Sequence, residues 1–309
     1  MFVKILKYYK EFCQDVDLKL NKQYKIDRYY IFHSENLWGI STDNLNSRFK
    51  HDKDGVLLTF YDNYGYRYNP AYIAYYGLIC FNKFLDTKKR RYLENFENSI
   101  KWIVKNGIDF EKDGILCKKW VYDFDWQNGA DILKSGWCSA MAQGLIASIL
   151  IRAYFFYKDE KYLKLAKESI NVYKIDIEKG GVRAKYNNYF YYEEYPIYPL
   201  SMVLDGLLFA LVGVYELSKL DISYQNIFIE GMKFIENNFD IWNYKNIWTK
   251  YGIFDGKQYL ATLSYHKLNL CIIDFFKNQE MIKISEINNN CKCFIVATIN
   301  LLNIIKDKL

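Results

Sequence analysis

Within Tyr191-Tyr192-Glu193-Glu194-Tyr195-Pro196 two carboxylates stand among phenols, just ahead of a proline that ends regular structure. Carboxylates and phenols are groups that move protons, and flat phenol rings suit the faces of sugar rings. In an extended run alternate side chains face opposite sides, which pairs Glu193 with Tyr195 and Tyr192 with Glu194. Glu194 and Tyr195 therefore meet one substrate only if the chain bends between them, and Pro196 makes a bend available. A surface strand of Tyr and Glu is the bland alternative.

A second group, Trp120-Val121-Tyr122-Asp123-Phe124-Asp125-Trp126, alternates aromatics with carboxylates. Rings in such a run stack on sugar faces while carboxylates bind hydroxyls. Tyr122 and Asp125 are the candidates, against the alternative of a half-buried edge strand. A third is Leu263-Ser264-Tyr265-His266, where a tyrosine and a histidine open a helical pattern. A histidine tunes or replaces a tyrosine as acid or base, although a lone histidine is more often structural.

The elements that must position these residues are mostly helices. From residue 70 onward apolar residues recur with helical period over about 70–86, 91–106, 137–157, 159–173, 199–218, 224–238, 261–277 and 281–306. These stretches read as four pairs. In the first three pairs the first member is richer in small and apolar residues, as in Ala140, Ala142, Gly144, Ala147 and Ser148, or Gly206, Ala210 and Gly213. The second member is amphipathic and covers it. Four such hairpins predict a mainly α fold, an (α/α) toroid with inner and outer helices. Residues 1–60 are set apart as an N-terminal segment with short strands, at Tyr29–Phe32 and Val56–Phe60, and residues 61–309 as the toroid. The loops between pairs are long, and the candidate chemistry lies in them or at their edges.

Composition limits the classes of function. The chain has 309 residues, 51% of them hydrophobic, with three prolines and sixteen glycines. That suffices for a large core and argues against disorder. The net charge of +6 is spread through helical stretches. It reads as a solvated surface or as mild attraction of a polyanion, and no nucleic-acid motif accompanies it. The seven cysteines, at 13, 80, 117, 138, 271, 291 and 293, have no metal-type spacing. Cys80, Cys138 and Cys271 lie in apolar runs and read as small core residues. A reducing compartment, no signal peptide and no uncharged apolar run of spanning length predict a soluble cytoplasmic protein. No Gly-rich phosphate loop suggests a nucleotide, so no cofactor and no metal are expected.

Several blocks in fixed order give the chain a family resemblance. They are Asn69-Pro70-Ala71-Tyr72-Ile73-Ala74-Tyr75-Tyr76-Gly77-Leu78, Tyr122-Asp123-Phe124-Asp125, and Gly136-Trp137-Cys138-Ser139-Ala140-Met141-Ala142-Gln143-Gly144. Arg152-Ala153-Tyr154, Tyr192-Glu193-Glu194-Tyr195-Pro196, Val203-Leu204-Asp205-Gly206 and Tyr265-His266 follow. From about Gly55 to Phe275 the chain resembles the C-terminal catalytic domain of D-glucuronyl C-5 epimerases of the heparosan/heparan type. The resemblance implies a helical toroid and a catalytic set of Glu194, Tyr195 and Tyr265. A further family tyrosine falls where this chain reads Ile247-Trp248-Thr249-Lys250-Tyr251. Trp248 aligns with it most simply and Tyr251 stands three residues late. Leu263-Ser264 also replaces a family Trp-Asp. The substrate-binding candidates are then Tyr122, Asp125, Trp137, Arg183, Tyr192, Glu193, Trp248, Tyr251 and His266.

The implied reaction inverts C-5 of D-glucuronate to L-iduronate within a polysaccharide. The hydrogen on C-5 is alpha to a carboxylate, and its removal builds an enediolate-like dianion. One group must take a proton from one ring face and another return one to the opposite face. Glu194 and Tyr265 are the candidates, with Tyr195 assisting. A raised carboxyl pKa and a lowered phenol pKa favour that chemistry. Arg183 or Lys185 is the candidate cation for the uronate carboxylate. The expected partner is an acidic polysaccharide, with no nucleic acid and no membrane span, and a homodimer is compatible with this. The rival readings are a polysaccharide lyase, a glycoside hydrolase using Asp125 and Glu194, and a catalytically silent glycan-binding module.

Overall fold

A computed structural model of the chain describes residues 2–32, 37–284, 287 and 293–306. Its main body is helical. Asn69 opens it, with a side chain that accepts from the Tyr72 amide at 3.0 Å, and Pro70 follows where a helix needs no donor. Helix α2 (Pro70–Thr87) is followed by α3 (Arg90–Asn106), α4 (Ala140–Tyr157), α5 (Glu160–Asn171), α6 (Leu204–Ser218), α7 (Gln225–Asn238) and α8 (Leu263–Asn278). These seven match the first seven expected stretches to within a few residues at each end.

Helices α2, α4, α6 and α8 pack side by side in chain order, while α3, α5 and α7 pack on α2, α4 and α6 respectively. Helices α4 and α6 are buried nearly all round, which explains their lack of a polar face. Helix α4 is apolar and long enough to cross a membrane, but 78% of it is buried inside the protein. Small residues let α4 and α6 approach closely. A Cβ added at Gly144 would stand 2.7 Å from the Ala210 Cα, and one at Gly213 would strike the backbone of Gly144. Where the two helices meet, Arg152 of α4 and Glu216 of α6 form a fully buried pair, with Nη2 donating to Oε1 at 2.6 Å.

The fourth expected hairpin does not form. Residues 281–284 are not helical, and α9 (Cys293–Lys306) packs on α1 (Phe2–Phe12) and on strand β12 (Lys257–Leu260) instead of on α8. Helix α1 itself was not legible as a helix, since it is short and its apolar residues are interrupted by lysines. Tyr9 and Thr298 share a hydrogen bond at 2.9 Å across this terminal pair. Cys291 lies outside the described residues.

The loops between helices are built from short antiparallel strands. Strands β1 (Phe49–His51), β2 (Leu57–Tyr61) and β3 (Gly65–Arg67) form one sheet before α2. Hairpins β4–β5 (Ile108–Lys112, Ile115–Lys119) and β6–β7 (Trp126–Asn128, Asp131–Leu133) separate α3 from α4. Hairpin β8–β9 (Arg183–Tyr186, Tyr189–Tyr192) precedes α6, and β10 (Asn243–Tyr244), β11 (Trp248–Phe254) and β12 precede α8. The expected strand at Tyr29–Phe32 is only a pair of isolated bridges, from Phe32 to Leu20 and from Tyr29 to Tyr24. Its backbone is satisfied partly by the Asn21 amide, which donates to the Ile31 carbonyl at 2.7 Å, and partly by side chains. The Tyr30 amide donates to Asn82 Oδ1 at 2.9 Å, and Asn82 Nδ2 donates to the Phe32 carbonyl at 2.7 Å. Tyr30, Ile31 and Phe32 are thereby buried in the same core as the inner helices.

Candidate active site

The first-turn residues Tyr72 of α2, Met141 of α4, Asp205 of α6 and Tyr265 of α8 all line one cleft. The N-termini of the four inner helices therefore converge there. Each helix start carries partial positive charge from its unpaired amides, so the floor of the cleft favours an anion. The walls come from the loops: Trp38, Arg48, Tyr61 and Asn69 before α2, Tyr122, Phe124, Trp126 and Trp137 before α4, Glu194 and Tyr195 before α6, and Tyr251 before α8. The cleft has an empty volume of about 560 Å³, part of it open to solvent.

Aromatic rings set its shape. Tyr122 stacks on Trp137 with centroids 3.9 Å apart and planes 4° apart. Trp126 lies nearly parallel to Tyr195 at 5.9 Å, and Tyr251 meets Tyr265 at 4.9 Å. Asn69 links the cap of α2 to this wall, since its Oδ1 accepts from the Tyr122 hydroxyl at 3.2 Å and its Nδ2 donates to the Tyr61 hydroxyl at 2.7 Å.

Glu194 and Tyr195 reach the cleft because the chain leaves the β9 strand at Tyr192 and bends at both residues. The amide of Ile197 donates back to the Tyr195 carbonyl at 2.7 Å, which tightens the bend. Glu193 falls on the other side. It is buried and accepts from Ser201 Oγ at 3.0 Å and from the Met202 amide at 2.9 Å. Burial pushes its carboxyl up to about 7. Glu193 thus anchors the bend and does not line the cleft. Tyr192 also points away, donating to the Ile227 carbonyl at 2.9 Å.

Other expected positions also lie elsewhere. Asp125 accepts from Lys134 Nζ and the Ser135 amide, both at 2.8 Å, and lines an adjoining surface pocket that shares Arg48, Tyr61 and Trp126 with the cleft. Arg183 is paired with Asp176 at 2.7 Å and Lys185 is exposed on β8, so neither cation faces the cleft. Arg48 does. It stands just before β1, its guanidinium lies over the rings of Phe49 and Tyr72, and its nearest polar contact is a long 3.4 Å approach to the Tyr72 hydroxyl. No carboxylate pairs with Arg48 among the described residues.

Trp248 and His266 are structural. Trp248 belongs to a small second core with Phe12, Leu260, Val296 and Ala297, and its Nε1 donates to the Ala261 carbonyl at 2.8 Å. His266 Nδ1 accepts from the Thr249 amide at 3.1 Å. Tyr251 enters the cleft instead, because the β11–β12 register shifts between Lys250 and Gly252. A bulge of this kind turns a strand and re-aims a side chain. Sequence reading offered no way to place that bulge, nor the cleft roles of Arg48, Tyr61, Asn69, Tyr72 and Asp205. Asn69 and Asp205 stood in the family-like blocks, where the cap and the helix start were the available signals.

The electrostatics are those of a closed, phenol-rich site. Burial, and after it the charge of Asp205, raises the Glu194 carboxyl well above its usual range. Burial raises Asp205 to about 7. The hydroxyls of Tyr122, Tyr195, Tyr251 and Tyr265 are all raised, chiefly by burial. These phenols are therefore protonated at neutral pH. The lowered phenol pKa expected for the reaction is not found, because desolvation disfavours the phenolate.

Comparison with known proteins gives the chain several relatives. The chain is 33% identical over 150 residues to a D-glucuronyl C5-epimerase of Caenorhabditis elegans, covering 48% of this chain and 24% of that protein. It is 27% identical over 164 residues to an uncharacterized protein of Methanocaldococcus jannaschii, covering 48% of this chain and 53% of the relative. The match thus spans from a quarter to about half the length of these relatives. A glycoside hydrolase family 76 mannosidase of Bacteroides thetaiotaomicron overlays with a TM-score of 0.46 at 14% identity, covering 74% of this chain and 58% of the other. Residues 114–292, which include Tyr122, Glu194, Tyr195, Asp205, Tyr251 and Tyr265, match the family described as the D-glucuronyl C5-epimerase C-terminus. The chain belongs to the D-glucuronyl C5-epimerase C-terminal family.

Proposed function

We propose that this protein is an epimerase that inverts C-5 of a D-glucuronate residue held within an acidic polysaccharide. The observation that carries the reading is the convergence of Glu194, Tyr265 and the unpaired Arg48 on one cleft at four helix N-termini. The uronate carboxylate pairs with Arg48, and the helix starts stabilise the second negative charge as the enediolate forms. Glu194 takes the C-5 proton from one ring face. Tyr265, protonated because it is buried, gives a proton to the opposite face. Tyr195 and Tyr251 donate hydrogen bonds to the developing oxyanion. The row α2, α4, α6 and α8 is then the arc of the (α/α) toroid that the resemblance implies.

The test is conversion of glucuronate-containing polysaccharides, followed by NMR for iduronate signals and by ultraviolet absorbance for unsaturated sugars. The account expects iduronate without absorbance. A rise in absorbance instead identifies a lyase, which makes the same first proton transfer and then eliminates the neighbouring sugar. Binding without either product identifies a glycan-binding module.

A further inference from the structure

Asp205 is the second residue of α6 and only 2% exposed. Its Oδ1 has no hydrogen-bond partner among the described residues, and neither has the solvent-shielded Oε2 of Glu194. The next residue shows where Glu194 lies. A Cβ added at Gly206 would stand 2.5 Å from Glu194 Oε2 and 2.7 Å from its Cβ, so the Glu194 carboxyl rests on the opening turn of α6, the turn that carries Asp205. Two shielded carboxyls that repel each other at one helix start are costly when both are ionised, and a single proton held by either member relieves the pair.

The surroundings offset this only in part: a hydrogen bond from Tyr195 favours the Glu194 carboxylate but is outweighed by burial and by the charge of Asp205. The phenols of Tyr72 on α2, Tyr122 in the loop before β6, Tyr195, Tyr251 on β11 and Tyr265 on α8 face the same cleft, and burial keeps each neutral. Glu193 adds a further carboxyl nearby. Arg48 is the one lysine or arginine among the lining residues, and it stands exposed at the mouth. The first amides of α6 favour charge on Asp205 but are outweighed by its burial.

We propose that Asp205 is a positioning residue that shares one proton with Glu194 in the empty cleft, so that the pair meets an anionic sugar with one negative charge instead of two. The proposal rests on the reading of Glu194 as the base. The proton count closes within the site. The C-5–H bond breaks, its electron pair stays on the substrate as the enediolate, and the proton passes to the pair, leaving both carboxyls neutral. Tyr265 gives its phenolic proton to C-5 on the other face, and one proton then returns from the pair to the phenolate. Asp205 thereby sets the pH at which Glu194 is ready.

The experiment is a titration of the full chain, carrying ¹³C-labelled Asp and Glu carboxyls, without glycan. In the unaltered protein one carboxyl of the Glu194–Asp205 pair, assigned apart from Glu193, should stay protonated up to a pH of about 7 or above. In Asp205→Asn, which keeps size and adds a donor, Glu194 should titrate at least about one pH unit lower. Unchanged Glu194 titration in Asp205→Asn, or neither Glu194 nor Asp205 protonated above a pH of about 6, overturns the proposal. With a uronate polysaccharide, the acid limb of C-5 exchange should move down in Asp205→Asn. Below the limb the variant should then outpace the unaltered protein, about tenfold for a limb displaced by about one in pH. A uniform loss at every pH, with the limb fixed, would mean that Asp205 merely holds the structure. Absence of exchange in the unaltered protein defeats the epimerase reading, while the carboxyl titration is decided by itself.

Discussion

Trp248 lies flat on His266, with ring centroids 3.8 Å apart and planes 16° apart, and this stack closes the second core beside the cleft. The pair fixes the start of β11, and the bulge that follows delivers Tyr251 to Tyr265. A phenol three residues late in sequence thus reaches the site, and a tryptophan in the simpler alignment does not.

This separates two variants. Tyr251→Phe removes only a hydroxyl, so the fold should persist while C-5 exchange falls by about 100-fold, the usual loss of one oxyanion donor. Trp248→Phe should lower the melting temperature and leave exchange per folded molecule within a few-fold. Thermal unfolding and exchange assays on both variants check this, and equal exchange in Tyr251→Phe and the unaltered protein counts against a role for Tyr251.

Arg48 should govern recognition of the acidic sugar. Arg48→Gln is expected to raise KM for a uronate polysaccharide by about 10- to 100-fold, the loss of a charge-assisted hydrogen bond. Arg48→Lys should restore part of it, and binding of a carboxyl-reduced glycan should be indifferent to all three forms. Arg183→Gln breaks only the ion pair with Asp176 and should leave KM unchanged. Steady-state kinetics at fixed salt tests this, because exposed charges are screened.

Most of the helical frame was legible because each of seven helices carries its own period and stop signals. Asn69-Pro70 marks a helix start by local chemistry alone. The site was legible only where one segment holds its chemistry, as in Glu194-Tyr195. Arg48 and Asp205 join it through long-range packing and a helix start, which leave no pattern in neighbouring residues, while Tyr251 was a candidate in sequence but the bulge that brings it in was not legible. Cations next to the motif misled for the same reason. Arg183 is close in sequence, yet its strand turns it toward Asp176.

The buried pair Arg152–Glu216 ties α4 to α6, and Arg152 Nη2 also donates to the Tyr29 carbonyl at 3.1 Å. Removing one member leaves an unpaired buried charge. Arg152→Met or Glu216→Leu alone should destabilise by about 3–5 kcal/mol, and the double variant by clearly less than the sum. Denaturant unfolding of the three variants measures the coupling; strict additivity would show that the two residues do not act as a pair.

Glu193 should make stability depend on pH. Its folded carboxyl is raised from 4.5 to about 7, so the native state binds its proton more tightly than the unfolded chain. Stabilisation from that proton is complete below the unfolded value and is lost as pH rises toward 7. The raised carboxyls of Asp205 and Glu194 act in the same sense. The protein should therefore unfold at a higher temperature at a pH of about 5 than at a pH of about 7, and Glu193→Gln should flatten the difference. Melting curves across this range check it, and a rise in stability with pH would contradict the assignment.

The central claim is that Glu194 and Tyr265 act on opposite faces of one uronate ring. Its most direct measurement is deuterium incorporation at C-5 of a glucuronate polysaccharide in deuterated water, which registers proton exchange even when net epimerisation is small. Incorporation by the unaltered protein is expected, with a fall of about 100- to 10,000-fold in each of Glu194→Gln and Tyr265→Phe and glycan binding retained. Exchange at the unaltered rate in both variants, or no incorporation by a protein that binds the glycan, would contradict it.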